Sequence, residues 1–274
     1  MTRGRASPRL PGFHLSLGVT LAVVFSLIVL PLMALIVVVA RAEPSHVIEV
    51  LSARRTLSAY GLSFGAAALA SLISTPLGLG IAWTLVRYDV PFRRFWDALV
   101  DLPFAMPTAV SGIALTQLWG PSGLFGAQLA HLGIDIAFTR AGVVLALIFV
   151  SLPFVVRTVQ PVIESFPREA EEAAASLGAD RITAFRRVIL PALRPALFSG
   201  ATLGFARAIG EYGSVVFIAG NAPFRTEIAP LLVLVRLEEY DYAGAASIAT
   251  GMLIASAALL AMLARAERRT ARGR

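Results

Sequence analysis

Arg207 and Glu211 stand four residues apart inside an otherwise apolar run, GFARAIGEYGSVVFIAGN (204–221). That spacing lets them pair on one helix face. Charges at membrane depth are costly and usually face a bundle interior or a water-filled path. The pair therefore reads either as a buried brace or as part of a route, with Arg207 offsetting the charge of a passing anion. A second chemical group is EAAASLGADRITAFRRVILP (172–191), a charged stretch between two apolar runs. A third is Pro103, Pro107 and Gly112, in an apolar segment that also holds Asp101. Prolines inside a span leave backbone groups unpaired, which can line a path, although more often they only kink the helix for packing.

Other chemistries are poorly supplied. Cysteine is absent, and His14, His46 and His131 lie far apart beside no carboxylate cluster, so neither a thiolate nor a metal site is expected. All 24 basic residues are arginine. Without lysine the chain has no standard P-loop, whose lysine must reach the nucleotide phosphates. The net charge of +7 does not point to nucleic acid, because the arginines sit between hydrophobic runs and form no single exposed stripe.

The elements that must hold these residues are membrane spans. The chain is 57% hydrophobic and 15% charged, against about 25% charged in soluble domains. Six apolar runs lie at 15–40, 56–86, 98–119, 141–163, 196–220 and 243–264. Unpaired backbone is intolerable in lipid, so each should be helical, with breaks only where protein or water lines them. The run at 15–40 is longer than the 7–15 residues of a signal-peptide core, which argues for a retained span. Gly61 and Gly65, and Gly78 and Gly80, are expected to let helices approach closely.

Arginine placement sets the expected orientation. With the N-terminus inside and six crossings, seventeen arginines fall on the cytoplasmic side and six outside, with Arg207 in between. The arm 1–14, the hairpin region 167–191 and the tail 265–274 are then cytoplasmic, flanking a first span (15–40) and a core (56–264).

Within 167–191, Pro167 and the early glutamates favour a helix start, and the alanines favour its body. Gly178 supplies a left-handed cap, and Asp180 caps a second short helix, 181–189, which Pro191 is expected to stop. The stretch reads either as a solvated loop whose charges only enforce topology or, since a loop needs no such caps, as a docking surface. An alanine face rimmed by charge suits insertion into a groove on a soluble partner.

This spacing, E-A-A-x3-G-x9-V-x-L-P, closely resembles the EAA motif of ABC importer permease subunits. The match runs through Glu172, Ala173, Ala174, Gly178, Leu190 and Pro191, with Val188 where isoleucine is usual. In that family the motif is the coupling helix that docks in a cleft of the cytoplasmic ATPase. The stretch 204–221, with TEIAPLLVLVRLEEYDYAGAASIA from Thr226, resembles the sulfate/thiosulfate permeases, specifically the T-type subunit that pairs with a W-type subunit. LPFAMPTAVSGIAL (102–115) is similar to the sulfate and molybdate branch.

The resemblance covers roughly 60–264. It implies an all-α integral membrane fold, with six transmembrane helices in a type I ABC importer (MetI-like) bundle and a cytoplasmic coupling hairpin. It implies a bacterial inner-membrane location and a heterodimeric channel with a periplasmic sulfate-binding protein. It also implies an ATPase dimer that binds ATP and Mg, leaving no cofactor in this chain. ATP binding would turn the cavity outward, and hydrolysis with product release would return it inward. Arg207, Glu211, Pro103 and Pro107 are the candidates for path or gate. A molybdate or tungstate permease, built as a homodimer, remains open. A secondary transporter should show internal repeat symmetry, and none is visible. An intramembrane enzyme needs a nucleophile with a base, or paired aspartates at depth; the spans offer neither.

Overall fold

The computed structural model describes residues 13–272, with side chains as far as 267. Arg3, Arg5 and Arg9 of the arm, and the tail charges from Arg268 onward, lie outside the described residues or side chains. Every regular element among the described residues is a helix. In order these are α1 (Phe13–Arg41), α2 (Pro44–Ser52), α3 (Arg54–Arg87), α4 (Arg93–Ala105), α5 (Thr108–Trp119) and α6 (Gly126–Ala130). They continue with α7 (Arg140–Ser165), α8 (Arg168–Ser176), α9 (Arg181–Ile209), α10 (Gly213–Ile218), α11 (Ala229–Glu238) and α12 (Tyr242–Arg272). Five helices, α1, α3, α7, α9 and α12, are long and apolar enough to cross a membrane, and counting the bent pair α4–α5 as one span gives six.

Pro191, expected to stop a helix, does not. It lies inside α9, which runs unbroken from the hairpin through Pro195 to Ile209, so the short helix 181–189 is the hairpin-side start of the helix that continues into a span. A wider π turn, Phe185–Ile189, precedes the ring, and the Leu190 N–H reaches back to the Phe185 carbonyl. The same device occurs in α1, where Phe25–Val29 widens ahead of Leu30–Pro31. Opening the carbonyl ladder just before the ring absorbs both its bulk and its missing N–H.

True breaks occur elsewhere. Met106, held extended by the following Pro107, separates α4 from α5, and the two helices meet at 114°. The expected span 196–220 also divides: α9 ends at Ile209, and Gly210–Tyr212 turn the chain into the short α10.

Helices α3, α7 and α9 pack against one another and form the centre, with α12 against α9, α11, α2 and α1. One buried cluster joins Ala66, Ala70, Val143, Ala146 and Phe205; a second, nearer the hairpin, joins Ala82, Val155, Val159, Ile163 and Leu193. Close approach depends on Gly78, where an added Cβ would lie 2.7 Å from a Val155 methyl. Gly61, Gly65 and Gly80, expected to do the same, face open space in this chain. They are not packing glycines within the subunit.

Candidate functional site: the hairpin and the broken-helix junction

At one end of the bundle, α8 begins after an extended Pro167 with Glu169 and Glu171 in its first turn. It closes as a Schellman turn: Gly178 has φ +83°, its N–H bonds to the Ala175 carbonyl, and the Ala179 N–H bonds to the Ala174 carbonyl. Two residues on, Asp180 caps α9 by accepting from the Thr183 N–H at 3.2 Å. Hydrogen bonding from Thr183 holds the Asp180 carboxyl below the usual carboxylate range.

Of the motif residues, Glu172, Ala173 and Gly178 are exposed, whereas Ala174 packs inward. Leu190 and Pro191 are half-buried and belong to the root of α9, where the hairpin enters the bundle. The tip carries two residues that sequence reading passed over. Leu177 is 89% exposed and Ile182 67% exposed, one on each side of the glycine turn. Exposed apolar side chains at the tip of a polar hairpin suit insertion into a groove on a partner.

The second site lies where the two helix breaks meet. Helix α10 packs on α5. The approach is close enough that a Cβ on Gly112 would stand 2.5 Å from the Ser214 carbonyl oxygen, and Gly213 lies directly against the Thr108 side chain. Glu211, in the turn between α9 and α10, is 2% exposed in its side chain; Arg207, one turn back at the end of α9, is 34% exposed. Arg207 Nη1 stands 2.7 Å from Glu211 Oε2. The other carboxylate oxygen accepts from the Ser214 N–H and hydroxyl, both at 2.8 Å. Glu211 thus caps α10 and pairs with Arg207, across a break and not along one helix face as the spacing suggested. Pro107 is the N-terminal flank of α5 at the same junction, whereas Pro103 sits inside α4, a turn before the bend.

Several paired charges were not foreseen. Asp101 is engaged by Arg157 through two bonds of 2.7 Å, and Arg157 also reaches Asp97 at 3.1 Å and Gln160 at 2.7 Å, fastening α4 to α7. The available signal was Asp97 and Asp101 at i, i+4 in an apolar segment, opposite a lone arginine in the next run. At the end of the bundle away from the hairpin, Arg55 forms two bonds to the buried Glu227, at 2.7 and 2.8 Å. Arg140 donates to the Arg225 carbonyl at the same end. At the hairpin end, Arg87 Nη2 stands 2.7 Å from Glu171.

Residues 74–272 match the family model described as "Binding-protein-dependent transport system inner membrane component". The chain is 46% identical over 251 residues to the "Sulfate transport system permease protein CysT" of Salmonella typhimurium, covering 92% of this chain and 91% of the relative. It is 48% identical over 243 residues to the "Probable sulfate transport system permease protein cysT" of Nephroselmis olivacea, covering 89% and 86%. Its fold resembles a chain of a bacterial ABC transporter that imports the acidic polysaccharide alginate, with a TM-score of 0.77, 15% identity, and 93% and 94% of the two chains covered. An all-helical bundle with two broken spans, a capped polar hairpin and these likenesses point one way: the chain belongs to the binding-protein-dependent transport system inner membrane component family, as a membrane permease of the CysT type.

Proposed function

We propose that this chain is the T-type permease subunit of an ATP-driven importer that admits sulfate and thiosulfate by alternating access. The observation that carries the reading is the apolar tip, Leu177 and Ile182, on a hairpin whose two ends are rigidly capped. Such a tip needs a groove, and a cytoplasmic ATPase dimer holding ATP and Mg supplies one. Glu172, Ala173, Ala174 and Gly178 shape the docking element, while Leu190 and Pro191 root it in α9. Hydrolysis belongs to that partner, since this chain has no lysine to build a P-loop.

The remaining partners are those the resemblance implies, supported by the family's description as a binding-protein-dependent system. A W-type permease completes the channel, and a periplasmic sulfate-binding protein delivers the anion at the end opposite the hairpin. Both termini lie in the cytoplasm of a bacterial cell, and the subunit is a multi-pass protein of the inner membrane. At the junction of breaks, Arg207 is tied to Glu211, yet its side chain is one-third exposed and so is not sealed from a passing dianion. Half-helix N-termini are a recurrent way to meet anionic substrates inside a membrane.

Labelled sulfate uptake tests this in cells lacking their own sulfate permeases and supplied with this chain and its partner subunits. Uptake should resist excess molybdate and be lost in Glu172→Lys and Gly178→Pro, with the protein still in the membrane. Molybdate entry without sulfate entry would overturn the substrate, and uptake indifferent to both substitutions would overturn the docking role.

A further inference from the structure

Glu171 stands one residue before the motif glutamate, yet its surroundings differ. Glu172 faces solvent, whereas Glu171 is half-buried against Arg87, the last residue of α3, whose side chain is only 10% exposed. Arg87 also donates to the Phe166 carbonyl at 3.1 Å, just before α8. Its guanidinium lies over the Trp83 ring, 5.5 Å from the centroid. Trp83 in turn meets Phe185 edge-on at 5.9 Å, and Phe185 opens the π turn at the root of α9. Three pieces of chain thus converge on one arginine: the end of α3, the start of the hairpin and the wide turn where the hairpin enters the bundle.

The contact is incomplete as it stands. Arg87 Nε is buried with no hydrogen-bond partner, and the Glu171 oxygen beside Nη2 is close but poorly aligned for a hydrogen bond. A buried guanidinium N–H left unpaired is costly. A small rotation of α8 that let the carboxylate take Nε and Nη2 together would gain the bidentate fork. A second, better-paired arrangement is thus open to the pair, and an element with two discrete arrangements can carry coupling between distant sites.

We propose that the Arg87–Glu171 pair is the tether through which movement of the hairpin reaches α3, with Trp83 and Phe185 as the surface it turns on. Glu171 is then a positioning residue for transport, distinct from the docking residues. The main backbone neighbours of α8 come from the first turns of α9, and this side-chain pair links it to the end of α3. The inference rests on the reading of the hairpin as the ATPase dock.

The test uses the whole importer in liposomes, with sulfate uptake and ATP hydrolysis measured on the same vesicles. Glu171→Gln should keep the ATPase bound and hydrolysing, while sulfate moved per ATP falls about 5- to 100-fold. The exchange R87E/E171R should recover most of that loss. A second readout exploits the absence of native cysteine. Spin labels on Thr84→Cys and Ala175→Cys should keep a narrow distance distribution when a non-hydrolysable ATP analogue is added, and a broad one once Glu171→Gln is introduced. Unchanged sulfate per ATP in Glu171→Gln, an exchange that stays uncoupled while assembled, or equally narrow distributions would each overturn the tether. Failure of the docking reading looks different: the ATPase would not co-purify with the native subunit, or Glu172→Lys would leave uptake intact.

Discussion

Breaking the Arg207–Glu211 pair from its two sides should cost unequal amounts, because the partners are unequally buried. Arg207→Ala leaves the Glu211 carboxylate, 2% exposed, with only the two Ser214 donors. Stranding a buried charge costs about 3–5 kcal/mol. Glu211→Gln keeps an acceptor for Ser214 and strands the arginine instead. Arg207 is 34% exposed and can turn its head towards water, so the loss is one charge-assisted bond, about 1.5–3 kcal/mol. Thermal unfolding of the purified complex should show Tm lowered by about 10 °C for Arg207→Ala and by about half that for Glu211→Gln. The double variant R207M/E211Q removes both charges and leaves no stranded ion, so its stability should return close to the native value. Its sulfate uptake should remain lost, because the cation available to the anion is gone. A larger loss from Glu211→Gln than from Arg207→Ala would refute the burial argument, and a double variant that transports normally would reduce the pair to a brace.

Gly112→Ala should lower Tm by several degrees, since its Cβ would meet Ser214 backbone atoms at 2.5–3.0 Å that cannot yield. Gly61→Ala, which meets nothing within 4 Å in this chain, should leave the isolated subunit's Tm unchanged. The Asp180 carboxyl is depressed in the folded chain by hydrogen bonding from Thr183. Its contribution is therefore fully present above the unfolded carboxylate pKa and is lost only as pH falls through the lower folded value. Hydrogen exchange at the Thr183 amide, corrected for intrinsic rate, should show protection that is flat from neutral pH into the ordinary carboxylate range. Asp180→Ala should lose that protection at every pH.

The fold class and the hairpin were legible because both depend on local signals. Uninterrupted apolar length marks spans, and the spacing of Glu172, Gly178 and Asp180 marks two caps whose chemistry is set within a few residues. What was misread depends on tertiary context. Pro191 looked like a helix stop, since nothing local announces that a π turn at Phe185–Ile189 will absorb it. Arg207 and Glu211 looked like one helix face, since the break at Gly210–Tyr212 is stabilised by packing of α10 on α5. Gly61 and Gly65 looked like close-packing positions, while Gly78 alone of the four meets Val155. The clamp of Arg157 on Asp97 and Asp101, and the contact of Arg87 with Glu171, join residues more than fifty positions apart. Charge pairing over that distance leaves no periodic trace in a single sequence.

On the proposed function the hairpin tip seats in an ATPase. The cysteine-free background allows the most direct test: Leu177→Cys carrying a short photo-crosslinker, in membranes containing the whole importer. A crosslink to the ATPase subunit is expected from position 177. None to the ATPase is expected from a Leu132→Cys control, in the turn after α6 at the opposite end of the bundle. A crosslink to the ATPase from position 132, or none from position 177 in a complex that still transports, would contradict that seating.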